Sequence, residues 1–384
     1  MKPISIRILN DFSDSFFYMG KLFVLTEDKQ LKFIDNDKIF KEYLQNGNAL
    51  INHWLKKIFF NNDTLPNYQD FRNEANGANE FNSFWGMMEN QKIEFHIKDD
   101  HLTFICDIPE NESLDFIIYA ERAYLANRDG LFECRLNING ENVTSTPDGF
   151  QRVFDSKSIY LNPRAGKVLV STKSDGLFAG SIENQNDNLN INENHLSPNS
   201  IRASWAEYNF VNYKSSTEGD FFLNETEEIA IDGINFTVDD GSSQNRKIKE
   251  IGKEQISLSD MFTTRTKREK LIFSFNSLSN SFNISETGHI YYNKLDKNAP
   301  INILTGITLD LKRLGYPLSA HTVARGTIYE FFNQVTLVRN GIIETVSEIE
   351  CKQIRTFASS KWFKNTIMAL SEEYLEIHSI HPYH

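Results

Sequence analysis

Candidate chemistry in this chain begins with three histidines. His378, His381 and His384 recur every third residue, a spacing that on a helix would gather imidazoles on one face for a metal ion. His378, however, continues an alternating strand pattern, and Pro382 interrupts helical backbone. The stretch reads as a terminal tail, and no metal or other cofactor is expected. His289 and His321 flank turn signals, with no carboxylate or thiol placed for a dyad. Cys106, Cys134 and Cys351 are too few and too scattered for a disulfide framework or a thiolate zinc site, and read as small buried hydrophobes in strands. A basic run, Arg265, Lys267, Arg268 and Lys270, could contact an acidic partner. It lacks the interleaved aromatics on which single-stranded bases stack, so nucleic acid is disfavoured.

Carboxylates recur at corners such as Asp129-Gly130 and Asp175-Gly176. A glycosidase needs two carboxyls facing each other across one cleft. Residues that repeat from corner to corner are better explained by turn chemistry. No Gly-rich phosphate loop, dinucleotide fingerprint or Gly-x-Ser-x-Gly elbow occurs, and no catalytic residue is assigned. The polar loop from Asn184 to Asn199 lacks the tight glycine of a calcium loop and reads as solvated. The strongest binding signal is apolar: Phe81, Phe84, Trp85, Met87 and Met88 stand in an Asn-rich segment with little use for large hydrophobes. Either the scaffold covers them as core, or a second chain does. Aromatics and Met are enriched at interface centres, so these five are taken as a partner-binding surface.

Bulk composition narrows the classes. The 384 residues carry a net charge of -12, with 40% hydrophobic and 24% charged residues, as in a soluble globular protein. Negative charge argues against binding phosphate backbones. The opening residues, Ile4, Ile6 and Ile8 alternating with polar ones, form a strand pattern and not a signal peptide. No apolar run approaches the roughly 20 residues that span a bilayer, so a cytoplasmic protein without membrane contact is expected.

The elements that must position these residues are strands. The segment Phe116–Leu136 has strands on either side of the Arg128-Asp129-Gly130 turn, and Ser158–Ile182 repeats the arrangement around Ser174-Asp175-Gly176. Glycine supplies the positive φ such a corner needs. Related corners fall near residues 28, 218, 287, 325 and 372, making seven units. A hairpin is expected at 93–106. Between residues 37 and 60 the apolar spacing changes to three and four, the helical period, with a break at Gly47. Residues 37–91 are therefore a helical insertion, followed after 61 by polar sequence. Residues 225–270 form a second insertion, a small hairpin at 228–238, a flexible linker at 241–245 and the basic run.

Repeats of this length, each a small antiparallel sheet, suit an all-β propeller. In its blade grammar the chain resembles β-propellers of the WD40-like class, although their Gly-His and Trp-Asp signatures are absent. The resemblance implies a single seven-bladed domain over 1–384, closed by pairing of the first strand with Tyr374–Ile380. A multi-domain β-sandwich protein is the alternative. A rigid propeller implies a protein–protein interaction platform or a structural subunit of a larger complex. The alternatives are a hydrolase or lyase with its site in the central funnel, and a nucleic-acid-associated subunit using residues 265–270.

Overall fold

Alternating apolar residues resolve into strands that hydrogen-bond in groups of four or five, and among the described residues seven such sheets succeed one another along the chain. The computed structural model describes residues 1–9, 11–34, 49–60, 77–91, 93–140, 142–183, 187–206, 209–230, 236–237, 243–244, 246–258, 269–277, 279–295, 302–324, 326–358, 360 and 363–381. Strand β1 (Ile4–Leu9) precedes the first blade, which comprises β2 (Phe12–Tyr18), β3 (Lys21–Thr26) and β4 (Gln30–Ile34). After the helical insertion and β5 (Ile93–His96), β6 (Leu102–Asp107) returns to complete that blade against β4. Blade 2 contains β7 (Asp115–Tyr119), β8 (Arg122–Asn127), β9 (Gly130–Asn139) and β10 (Asn142–Ser145), with β11 (Gln151–Phe154) also paired to β9. Blade 3 contains β12 (Tyr160–Arg164), β13 (Lys167–Ser171), β14 (Leu177–Ser181) and the short β15 (Asn190–Ile191).

In blade 4, β16 (Arg202–Ala206) and β17 (Asn209–Tyr213) lead to β18 (Gly219–Ala230). A two-stranded ribbon of β19 (Phe236–Thr237) and β20 (Ser243–Gln244) follows, and β21 (Arg246–Ser257) then completes the blade. Blade 5 is β22 (Leu271–Ser277), β23 (Asn280–Ser285), β24 (His289–Lys294) and β25 (Asn302–Thr308). Blade 6 is β26 (Ser319–Val323), β27 (Gly326–Phe331), β28 (Gln334–Arg339) and β29 (Ile342–Ser347). Blade 7 has β30 (Gln353–Thr356), β31 (Thr366–Leu370) and β32 (Tyr374–Ser379) from the C-terminal end. Its fourth strand is β1, antiparallel to β32 from Ile4↔Ser379 to Leu9↔Tyr374. That pairing closes the ring with the two ends of the chain, as the opening Ile-x-Ile-x-Ile pattern predicts. The molecule is a seven-bladed β-propeller, not a string of β-sandwich domains.

Burial on both faces is what makes the inner strands so apolar. In β3, Leu22 and Val24 face blade 7 while Phe23 and Leu25 face blade 2, because successive side chains point to opposite faces. Among the described residues seven apolar clusters occur, one at each junction between neighbouring blades. The Asp-Gly corners join the second and third strands of their blades. Gly130 has φ 144, and a Cβ there would lie 2.0 Å from the carbonyl oxygen of Phe154. Gly176 has φ 114 and the same relation, at 2.2 Å, to the Ser197 carbonyl. At these two corners, glycine serves both the positive φ and the close approach of the chain leading to the next blade.

Several local expectations are corrected. Of the corner expected at Arg325-Gly326, Arg325 lies outside the described residues and Gly326 opens the second strand of blade 6; the turn matching the others is Phe332-Asn333. Residues 93–106 do not form a hairpin. Instead β5 joins β1 in parallel on the edge of blade 7, and β6 fills blade 1. The segment after residue 61 carries a helix, Gly77–Met88 (α2), as well as the earlier α1 (Ala49–Leu55) with a π turn at Lys56–Phe60. Gly47 lies outside the described residues. Glu228–Ala230 pair with Arg246–Ile248, while Phe236 and Thr237 of the expected partner strand pair with Ser243-Gln244, which is strand instead of linker. Backbone pairing over the long β18–β21 ribbon outcompetes the shorter local hairpin. The 184–199 loop supplies β15 and buries Leu189 against Gly180. No helix among the described residues is long and apolar enough to cross a membrane.

Candidate functional site

The aromatic segment forms core. Phe81, Phe84, Trp85 and Met88 share one face of α2 at i, i+3, i+4 and i+7 spacing and are 0–2% exposed. Trp54 of α1 packs on Phe81 at 5.1 Å between ring centroids. Trp85 Nε1 donates to the Lys2 carbonyl at 2.8 Å, anchoring the helix to the chain just before the closing strand. This chain therefore covers four of the five residues taken as a partner surface, and only Met87, on the opposite face, is exposed. His381 meets the same cluster, 4.7 Å from Trp85 and 5.4 Å from Phe81. It is fully buried and lies within hydrogen-bond distance of Asn82 Oδ1 (3.2 Å). The tail is packed at least to His381, and His384 lies outside the described residues.

Arg265, Lys267 and Arg268 also lie outside the described residues; Lys270 is exposed. Beside it, Glu269 supplies the carboxylate that spacing could not locate for His289. His289 Nδ1 stands 3.1 Å from Glu269 Oε1, and Tyr291 Oη donates to Oε2 at 3.0 Å. Hydrogen bonds from Ser285, then Thr287, Tyr291 and His289, hold this carboxyl down at about 2. A carboxylate that poor at taking up protons is an anchor for the β24 edge, and no base at neutral pH.

The central channel is lined by the first strand of each blade, and it is there that a funnel enzyme would keep its carboxylates. Asp14 of β2 and Asp115 of β7 do converge, but on one guanidinium. Arg355 Nη2 of β30 lies 3.0 Å from Asp14 Oδ1 and 3.1 Å from Asp115 Oδ1. The other oxygen of Asp115 accepts from Leu161 N of β12 at 2.8 Å. These contacts clasp blades 7, 1, 2 and 3 across the channel. Burial raises the Asp14 carboxyl to about 6, against the pull of Arg355 and with help from the nearby Asp115 charge. Two carboxylates locked on one arginine cannot face a substrate from opposite sides.

A cavity of about 270 Å³ is lined by Phe16, Asn162, Trp205, Asn276, His321 and Phe357 among others. Burial first, then the charges of Arg202 and Arg355, lowers His321 to about 3. That imidazole is neutral, and too weak a base for proton abstraction near neutrality.

The surface offers a different feature. Tyr316, Leu318 and Phe332 are 70%, 59% and 66% exposed, the three most exposed large hydrophobics among the described residues. Leu318 N donates to the Glu330 carbonyl at 2.8 Å, continuing the Ser319↔Glu330 register by one residue. This places Leu318 beside the Phe332 turn, on the face that carries the corners of the other blades. Just upstream, Asp310 caps the short helix α3 (Leu311–Leu314), which presents Lys312 and Arg313 to solvent. The signal was readable in part. Alternation sends Phe331 into the core, so the adjacent Phe332 must point away from it. What covers that outward residue is a matter of tertiary structure.

No protein-family model matches the chain, and no curated protein matches it by sequence. Solved structures match in shape. The WD40 β-propeller domain of Doa1 aligns at 10% identity over 71% of this chain and 94% of its own, with a TM-score of 0.36. The β-propeller domain of Cps50 (Swd1) from Myceliophteria thermophila aligns at 10% identity over 71% and 99%, with a TM-score of 0.39. A chain of a Mitotic Checkpoint Complex aligns at 7% identity over 97% and 92%, with a TM-score of 0.47. Likeness at this level concerns architecture alone, and on its own sheets and closure the chain is a seven-bladed β-propeller.

Proposed function

We propose that this chain is a protein-interaction platform, with a partner seated on the Tyr316–Leu318–Phe332 edge of blade 6. The observation that supports this reading is the exposure of those three large side chains together at one blade corner. Elsewhere the same corner position carries polar residues such as Asp28, Asp129, Asp175 and Glu372. Leaving apolar area in water forgoes about 25 cal/mol per Å², and contiguous exposed patches mark interaction sites. Tyr and Phe give an interface large contact area with few torsions to immobilise.

The test compares wild type with Tyr316→Ala/Phe332→Ser in affinity purification from cells that make the chain. Wild type retains a stoichiometric protein partner. The double variant loses it at unchanged Tm, because neither side chain is part of the core. Equal recovery by both proteins would move the interface elsewhere. Recovery of no protein, together with turnover of a small substrate, would replace the platform by an enzyme.

A further inference from the structure

We propose that Cys106 and Cys134 form a thiol pair that hydroperoxides oxidise to a disulfide, tying the outer strand of blade 1 to blade 2. Their Sγ atoms are in hydrogen-bond contact at 3.7 Å, and both are free thiols. Cys106 lies in β6 and Cys134 in β9, and both belong to the apolar cluster between those blades. An S–S bond is about 2 Å long, so forming the link brings the two sulfurs about 1.7 Å closer than their contact at 3.7 Å.

Access is asymmetric. Cys106 borders a groove of about 650 Å³ between β6 and the turn after β10, which Phe104, Phe132 and Phe150 also line. Cys134 lies behind it with no exposed surface. Reactivity runs the same way. The hydrogen bond with Cys134, and then Ser145, lowers the Cys106 thiol, while the same contact and burial push Cys134 up. Thiolate is the reactive form, so Cys106 is the attacking sulfur and Cys134 the resolving one. The third thiol, Cys351, is pushed up to about 12 by burial and reacts slowly.

A small uncharged hydroperoxide entering the groove meets Cys106 first. The thiolate attacks one peroxide oxygen, the O–O bond breaks, and hydroxide leaves to take up the proton released by Cys106. Cys106 is then a sulfenic acid. The Cys134 sulfur displaces that hydroxyl, which departs as water with the Cys134 proton. With hydrogen peroxide the sum is two thiols and one peroxide giving one disulfide and two waters. The link encloses β7, β8 and the start of β9, and pins β6, which pairs with β4 only after the long helical insertion.

The experiment treats native protein with hydrogen peroxide, removes the excess with catalase, and unfolds it in N-ethylmaleimide for non-reducing intact mass and peptide mapping. The expected product carries one maleimide, on Cys351, and a linked Cys106–Cys134 peptide pair. Its Tm lies above that of the reduced protein, and dithiothreitol reverses both changes. Cys351→Ser forms the same link, and Cys134→Ser yields a dimedone adduct on Cys106. Three maleimides after peroxide would overturn the proposal, as would irreversible oxidation of Cys106 with Cys134 still alkylated. A Cys134→Ser protein that dimedone leaves unlabelled would overturn the order of attack.

Discussion

Replacing Asp14 by Asn should make this propeller more stable at pH 7.5 and leave it nearly unchanged near pH 3. In the channel clasp, two carboxylates, Asp14 and Asp115, share the single charge of Arg355. Burial holds the Asp14 carboxyl at about 6, against an ordinary value of 3.8. At about 1.4 kcal/mol per pH unit, that interval is worth about 3 kcal/mol. The folded chain binds this proton more tightly than the unfolded chain. The contribution is therefore fully present below pH about 4 and is lost as pH rises through about 6. Wild type at pH 7.5 folds with an ionised, buried Asp14. The amide of Asn cannot ionise, yet still accepts from Arg355. Because the charge-assisted bonds weaken, the gain is put at about 1–3 kcal/mol.

Urea denaturation of both proteins at half-unit pH steps from 3 to 8 reads the difference directly. The two stability curves should converge as pH falls. Below pH about 4 both should decline, since Glu376, held down at about 2 by His378, Ser347 and Arg7 against the cost of burial, loses its contribution there. Removing the arginine has the opposite sign. Arg355→Met strands two buried carboxylates and should cost about 3–5 kcal/mol at neutral pH. An Asp14→Asn protein less stable than wild type by the same amount at every pH would refute the reasoning, because the clasp would then behave as a fully compensated ion pair.

Two further outcomes follow from the packing. Trp85→Ala empties a fully buried site and removes the donor to the Lys2 carbonyl, so denaturation should show a loss of about 3–5 kcal/mol; unchanged stability would place Trp85 outside the core. Deleting residues 1–9 removes a strand whose Ile4, Ile6 and Ile8 are 0–1% exposed and unpairs both β32 and β5. The expected result is loss of cooperative thermal unfolding with aggregation from the bared edge, and a sharp transition at the wild-type Tm would show that the ring closes without β1.

The sequence alone carried the architecture because a propeller is built from signals that are local. Period-two alternation marks each strand and a corner residue pair marks the turn, both decided within about ten residues of chain, and the recurrence of those corners marks the blade. Closure by Ile4–Leu9 was legible for the same reason, since an amphipathic strand at the start has to find an edge. Pairings between distant segments were not. Whether β5 and β6 would pair with each other or go to separate blades depends on which sheet edges stand open elsewhere in the ring. Nothing near residue 100 records that.

Burial of outward-looking apolar groups is equally non-local. Phe81, Phe84, Trp85 and Met88 have the composition of an interface centre, as do Tyr316, Leu318 and Phe332. The first set is covered because Trp54, His381 and the chain before β1 meet over it. The second stays exposed because no described element crosses the blade 6 corner. The contact of Cys106 with Cys134, the Asp14–Arg355–Asp115 clasp and the Glu269–His289 pair likewise join residues on different strands or blades. One chain can specify each side chain and its face, but only the closed ring sets which faces meet, because desolvation and charge pairing act between atoms that sequence order does not bring together.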